Sequence, residues 1–121
     1  MKALLVVAHG SRKKESNAEV LGLVRELNQK ARGAFDVVRG AFIQFTTPLV
    51  PEVIAELVES GVKEATVLPY FIAGGSHVTN DIPELIAEAR RAYPELIFKV
   101  TSHLGKFEGL ADYILDRVSI L

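Results

Sequence analysis

The chain has no cysteine and no tryptophan. Without cysteine there is no disulfide framework, no thiolate metal site and no thiol nucleophile, and a reducing compartment suits such a chain. Net charge is nearly absent too: 14 Lys and Arg stand against 15 Asp and Glu, leaving -1. That balance offers no attraction for nucleic acid or for an anionic membrane. No apolar run approaches the roughly 20 residues that a membrane-spanning helix needs. The N-terminus enters an apolar strand at Ala3 without a signal-peptide pattern, so a cytoplasmic location is expected. At 121 residues the whole chain, 1–121, is expected to form one domain with a sizeable core.

What is present is an alternation of apolar runs and helical patterns. Ala3 to Ala8 is uninterrupted and rich in Val and Leu, as in a strand covered on both faces. From Ser16 to Ala31, residues Val20, Val24, Leu27 and Ala31 share one helix face, and Gly33 fits its end. A second strand lies within Phe35 to Phe45. A helix begins near Thr47 and Pro48, carries the stripe Val50, Ile54, Leu57 and Val58, and stops at Gly61. The third strand spans Ala65 to Ile72. The third helix, Asp81 to Tyr93, places Ile82, Leu85, Ile86, Ala89 and Tyr93 on one side and is stopped by Pro94. Leu96 to Val100 reads as a fourth strand. Phe107 to Leu121 reads as a closing helix with Leu110, Ile114, Val118 and Leu121 in a stripe.

This order predicts an α/β fold: a four-stranded parallel sheet with helices on both faces. Right-handed crossovers restrict the strand orders, and the commonest small solution is the flavodoxin-like 2-1-3-4. In that order strands 1 and 3 are neighbours, and the chain leaves them in opposite directions. Ligands of open α/β sheets bind at such a switch point, beyond the carboxyl ends of the strands. His9 follows strand 1 and His77 follows strand 3, so the topology brings together two imidazoles 68 positions apart in sequence. Such a pair can hold a transition metal or move protons near neutral pH.

Each motif also has a plainer reading. His9-Gly10-Ser11-Arg12 serves equally as a strand-to-helix turn, with Gly10 supplying backbone freedom and Ser11 a cap. It lacks the glycine spacing of nucleotide-binding loops. With Ala at position 8 it also lacks the Arg that precedes the histidine in Arg-His-Gly phosphatase motifs. Gly74-Gly75-Ser76-His77 is a loop that lets a flat ligand approach the backbone. Asp81 with Glu84 reads as a capping box. His103, after strand 4, reads as a solvated histidine and a minor site candidate. Gln44 ends strand 2 on the same rim and serves otherwise as a polar strand terminus.

Taken together, Val6-Val7-Ala8-His9-Gly10-Ser11-Arg12, Ala41-Phe42-Ile43-Gln44-Phe45 followed by Pro48, Leu68-Pro69 through Gly75-Ser76-His77 with Asp81-Ile82-Pro83, and Leu104-Gly105 resemble the small form of the CbiX family. These are class II tetrapyrrole chelatases related to SirB, and the resemblance covers essentially the whole chain. It implies a half-chelatase domain that inserts a divalent metal into sirohydrochlorin, with cobalt first and nickel or iron as alternatives. The metal is a substrate, and no organic cofactor is implied. It implies His9 and His77 as metal-binding and catalytic residues, and a homodimer, because longer members carry two such domains facing across a cleft. Many relatives have Glu where this chain has Gln44, and Gln supplies neither a carboxylate base nor an anionic ligand.

Metal insertion requires a metal held at the ring centre, loss of two pyrrole protons, and a bent macrocycle. Neutral imidazole suits Co, Ni, Fe and Zn. On this reading His9 and His77 present the metal and one of them, or water, takes the protons. Gly74, Gly75 and Ser76 pack against the macrocycle beside Gln44. Ser11, Arg12 and Lys13 meet its carboxylates, and Phe45, Tyr70 and Phe71 line the cleft. The rival readings are a metal or tetrapyrrole carrier without turnover, a phosphoryl-transfer enzyme using His9, and an interaction domain with incidental histidines.

Overall fold

A computed structural model describes residues 1–31 and 33–121. Its centre is strand β1, Lys2–Ala8, which pairs in parallel with β2, Val37–Phe42, on one side and β3, Glu64–Pro69, on the other. Strand β4, Ile97–Val100, pairs in parallel with β3, so the order is β2-β1-β3-β4, as predicted. Val7 stands opposite both Ala41 and Pro69, which brings the carboxyl ends of β1, β2 and β3 to one rim.

The apolar run of β1 is buried from both sides because successive side chains alternate between faces. Ala3, Leu5 and Val7 join Val53, Ile54 and Leu57 of α2, Val50–Glu59, and Ile82 and Ile86 of α3, Ile82–Ala92. Val6 joins Val24 of α1, Lys14–Lys30, and Val38 on the opposite face. Helix α2 opens with Pro51 in its first turn and the Glu52 carboxylate accepting the Leu49 N–H at 2.8 Å. Among the described residues no helix is long and apolar enough to cross a membrane.

Several boundaries differ from the sequence pattern, each for a local reason. Strand β2 stops at Phe42, although Ile43 and Gln44 still donate to the Ala8 and His9 carbonyls. The chain then turns through Phe45, whose φ of 70° breaks the extended path. Strand β3 stops at Pro69, where the Phe71 N–H folds back onto the Pro69 carbonyl. Helix α3 starts at Ile82 rather than Asp81, behind a π-helical turn, His77–Asp81, closed by the Ile82 N–H donating to the His77 carbonyl. The Asp81 capping box is not formed, because that carboxylate is used elsewhere. Ser11 is not the N-cap of α1 either: that place falls to Lys13, which makes no side-chain cap.

The closing helix, α4, runs only from Leu110 to Val118 and has no buried residue. Its apolar stripe lies open, with Ile114 48% exposed and Val118 52%. Edge strand β4 likewise leaves Ile97 57% exposed. His103, expected in solvent, is buried.

Candidate metal centre

The loop after β1 passes close beneath the chain that leaves β2. Gly10 has φ 94°, and a Cβ there would overlap the Gln44 carbonyl oxygen. Only glycine allows that approach. Beyond it, Asn17 of α1 clamps the turn, accepting the Ser11 N–H at 2.9 Å and donating to the Ser11 carbonyl at 2.7 Å. The Ser11 hydroxyl accepts the Lys13 N–H at 3.0 Å. Ser11 is thus held in the turn, with its own O–H still free to donate. Asn17 has no counterpart in the sequence reading, since nothing in a Ser-to-Asn spacing of six announces such a clamp.

This turn sets His9 at the switch point. The ring centroids of His9 and His77 lie 4.1 Å apart, with planes inclined by 49°. Each ring has its own polar partner. The side-chain amide of Gln44 donates to His9 Nε2 at 2.6 Å, which places the ring proton on Nδ1. On the other side His77 Nδ1 donates to Asp81 Oδ2 at 2.5 Å, which leaves Nε2 with its lone pair. Asp81 sits four residues after His77 on the π-helical turn, a spacing that places both side chains on one face. That spacing was the available signal for the pair, and the capping-box pattern competes with it in the sequence.

Aromatic rings flank the histidines. Phe45 meets His9 edge-on at 5.6 Å, and Phe71 stacks along His77 at 6.2 Å with planes only 17° apart. The Arg12 guanidinium lies over the Phe45 ring at 4.9 Å. Tyr70 points the other way and packs in the cluster against α1. The backbone carbonyl of Gly75 accepts N–H groups from Val78 and Thr79 and so ties the Gly74–His77 loop to the turn behind it. Gly74 leans on His103. Ser76 makes no side-chain cap to the π-helical turn.

The His77 side chain is 37% exposed and Asp81 38%. Phe45, edge-on to His9, and Ile72, next to Phe71 in the chain, are half or more exposed. The result is a solvent-open shelf with two imidazoles at its centre and apolar edges. Among the described residues no third His, Cys, Asp or Glu completes a protein cage around a metal.

A sequence profile of the CbiX family matches residues 3–121. The chain belongs to the CbiX family. It is 30% identical over 118 residues to the sirohydrochlorin cobaltochelatase of Sulfurisphaera tokodaii, covering 98% of this chain and 92% of that one. It is also 30% identical over 115 residues to the chloroplastic sirohydrochlorin ferrochelatase of Arabidopsis thaliana, covering 95% of this chain and 50% of the plant protein. In three dimensions it superposes on the sirohydrochlorin chelatase SirB from Bacillus subtilis subspecies spizizenii, solved in complex with cobalt. There the TM-score is 0.84 at 26% identity, over 99% of this chain and 50% of SirB. The CbiX unit seen here therefore spans about half the length of the plant and Bacillus proteins. The family resemblance and the half-chelatase fold read from the sequence both hold.

Proposed function

We propose that this CbiX domain inserts a divalent metal, cobalt first, into sirohydrochlorin. The observation that carries the reading is the pair of imidazole rings, 4.1 Å apart at the switch point. The names of the relatives support the substrate, and they divide between cobalt and iron. Cobalt is placed first because relatives matched over 92% of their own length are cobaltochelatases.

His77 offers Nε2 to the metal, its ring fixed from behind by Asp81. His9 offers Nε2 once the Gln44 amide swings aside, so Gln44 holds that nitrogen in place until the ion arrives. Phe45 and Ile72 give the macrocycle an apolar seat, with the Gly74–Ser76 backbone close to it. The Ser11 hydroxyl and the Arg12 and Lys13 side chains meet its carboxylates. The departing pyrrole protons pass to an imidazole or to water, because Gln44 has no basic atom to receive them.

A single shelf covers one side of a macrocycle, and we infer that a second copy covers the other. The uncovered apolar stripe of α4 supports a homodimer. The absence of cysteine fits a cytoplasmic setting.

The deciding experiment is His77→Ala assayed by the absorbance change of sirohydrochlorin on metal insertion with Co2+, Fe2+ and Ni2+ in turn. We expect a loss of more than about a hundredfold with the preferred ion. Near wild-type rates with all three refute the role. A carrier without turnover is distinguished by adding catalytic amounts of the wild-type chain: only an enzyme converts excess sirohydrochlorin.

A further inference from the structure

A cavity of about 390 Å³ lies behind the metal centre, between α3 and the chain that leaves β4. Its floor is apolar, formed in part by Ile82 and Ile86. Its polar lining is Arg90, Thr101, Ser102, His103 and Lys106, with no carboxylate among the residues that face it. Neither Arg90 nor Lys106 pairs with an acid among the described residues, whereas Lys2 and Lys99 share Glu64 and Arg39 pairs with Glu56. One Arg90 nitrogen donates to the Phe98 carbonyl at 3.2 Å, which anchors the guanidinium and leaves its other donors free.

His103 is the second observation. It is only 8% exposed, yet its ring makes no hydrogen bond to any described residue. No enclosed side-chain nitrogen or oxygen among them lacks a partner, so the ring nitrogens open on the cavity. No protein group occupies those nitrogens, so a ligand that enters the cavity can hydrogen-bond them. The ring also lies under the loop that carries His77: a Cβ on Gly74 would sit 3.3 Å from its Cε1.

We propose that this cavity is a second binding site, for a carboxylate group carried on an apolar body. The Arg90 and Lys106 charges attract the anion at the mouth beside Ser102, while His103 supplies a polar contact below. The apolar floor takes the alkyl part and disfavours a strongly hydrated phosphate. Two sources share that chemistry: a carboxylate arm of a macrocycle seated at the metal centre, which rests on the function proposed above, or a separate small carboxylate. Either one, bound against His103, braces the Gly74–His77 loop.

The test uses the whole chain with two probes. One is a metal-free octacarboxylic porphyrin titrated by fluorescence, and the other is butyrate followed through the melting temperature. Lys106→Ala, at an exposed position, removes one charge without disturbing the core, and His103→Gln changes the polar contact below it. We expect Lys106→Ala to weaken at least one probe about tenfold, while Co2+ binding in the absence of either probe stays within about twofold of wild type. A change with porphyrin alone assigns the site to a macrocycle arm, and a change with butyrate assigns it to a separate carboxylate. Unchanged binding of both probes in both variants overturns the proposal, as does stabilisation by inorganic phosphate but not by butyrate. Should the wild type bind no porphyrin, the chelatase reading fails while the butyrate arm still decides the cavity.

Discussion

His77 Nδ1 and Asp81 Oδ2 stand 2.5 Å apart across a single π-helical turn. The contact sets the tautomer of the ring and leaves Nε2 as its free nitrogen, on a ring whose centroid lies 4.1 Å from that of His9. Gln44 does the corresponding work on His9, but through Nε2, the nitrogen that stays free on His77. The two histidines are therefore unequal. In the proposed reaction His77 is ready to ligate, and His9 must first release an amide.

Asp81 therefore acts through His77. Asp81→Ala should lower Co2+ affinity about 10- to 100-fold, the usual effect of removing a ligand's hydrogen-bond partner. Asp81→Asn should fall between it and wild type, because the amide oxygen still accepts the Nδ1 proton. Isothermal titration with Co2+ measures both. Equal affinities in all three proteins would remove Asp81 from the site.

Gln44→Glu tests the placeholder on His9. A carboxylate adds an anionic oxygen beside the metal position, and charged acceptors bind more strongly than neutral ones. We expect Co2+ affinity to rise about tenfold. A fall in affinity would mean that the neutral amide is itself needed for binding.

The fit of Gly10 under Gln44 carries a stability prediction. Gly10→Ala combines a left-handed φ of 94° with overlap of the Gln44 carbonyl oxygen. It should cost about 2 kcal/mol or more in urea denaturation. Gly75→Ala is the control, since no atom lies within 4 Å of a Cβ built there. Its cost should stay within about 0.5 kcal/mol. Equal effects at the two positions would contradict the geometry.

The exposed stripe of α4 bears on assembly. If a second copy covers it, Ile114→Glu with Val118→Glu should convert a dimer to a monomer in sedimentation velocity and lower insertion activity with it. On a solvated helix the same changes would alter stability by no more than about 0.5 kcal/mol each. A fully active wild-type monomer would end the dimer proposal.

Much of the fold was legible along the chain. Ala3 to Ala8 announced a central strand because burial on both faces demands an unbroken apolar run. Crossover handedness then places His9 and His77 on one rim. The details around them were less legible. Asp81 followed by Glu84 fits a capping box and a histidine partner equally well, and only the π-helical turn decides between them. His103 looked like a solvated residue after an edge strand, yet the Gly74 loop folds over it. Tyr70, grouped with Phe45 and Phe71, went to the opposite face of the sheet.

Alone, the sequence determined the alternation of strands and helices, the parallel order of the sheet and the rim on which both histidines stand. Those features follow from the local period of apolar residues and from chain handedness, and both are written in consecutive positions. Tertiary structure decided which nitrogen each ring presents, what shields His103, and that α4 keeps its apolar stripe in the open. These depend on groups brought together from distant parts of the chain, where a few tenths of an ångström separate a hydrogen bond from a clash.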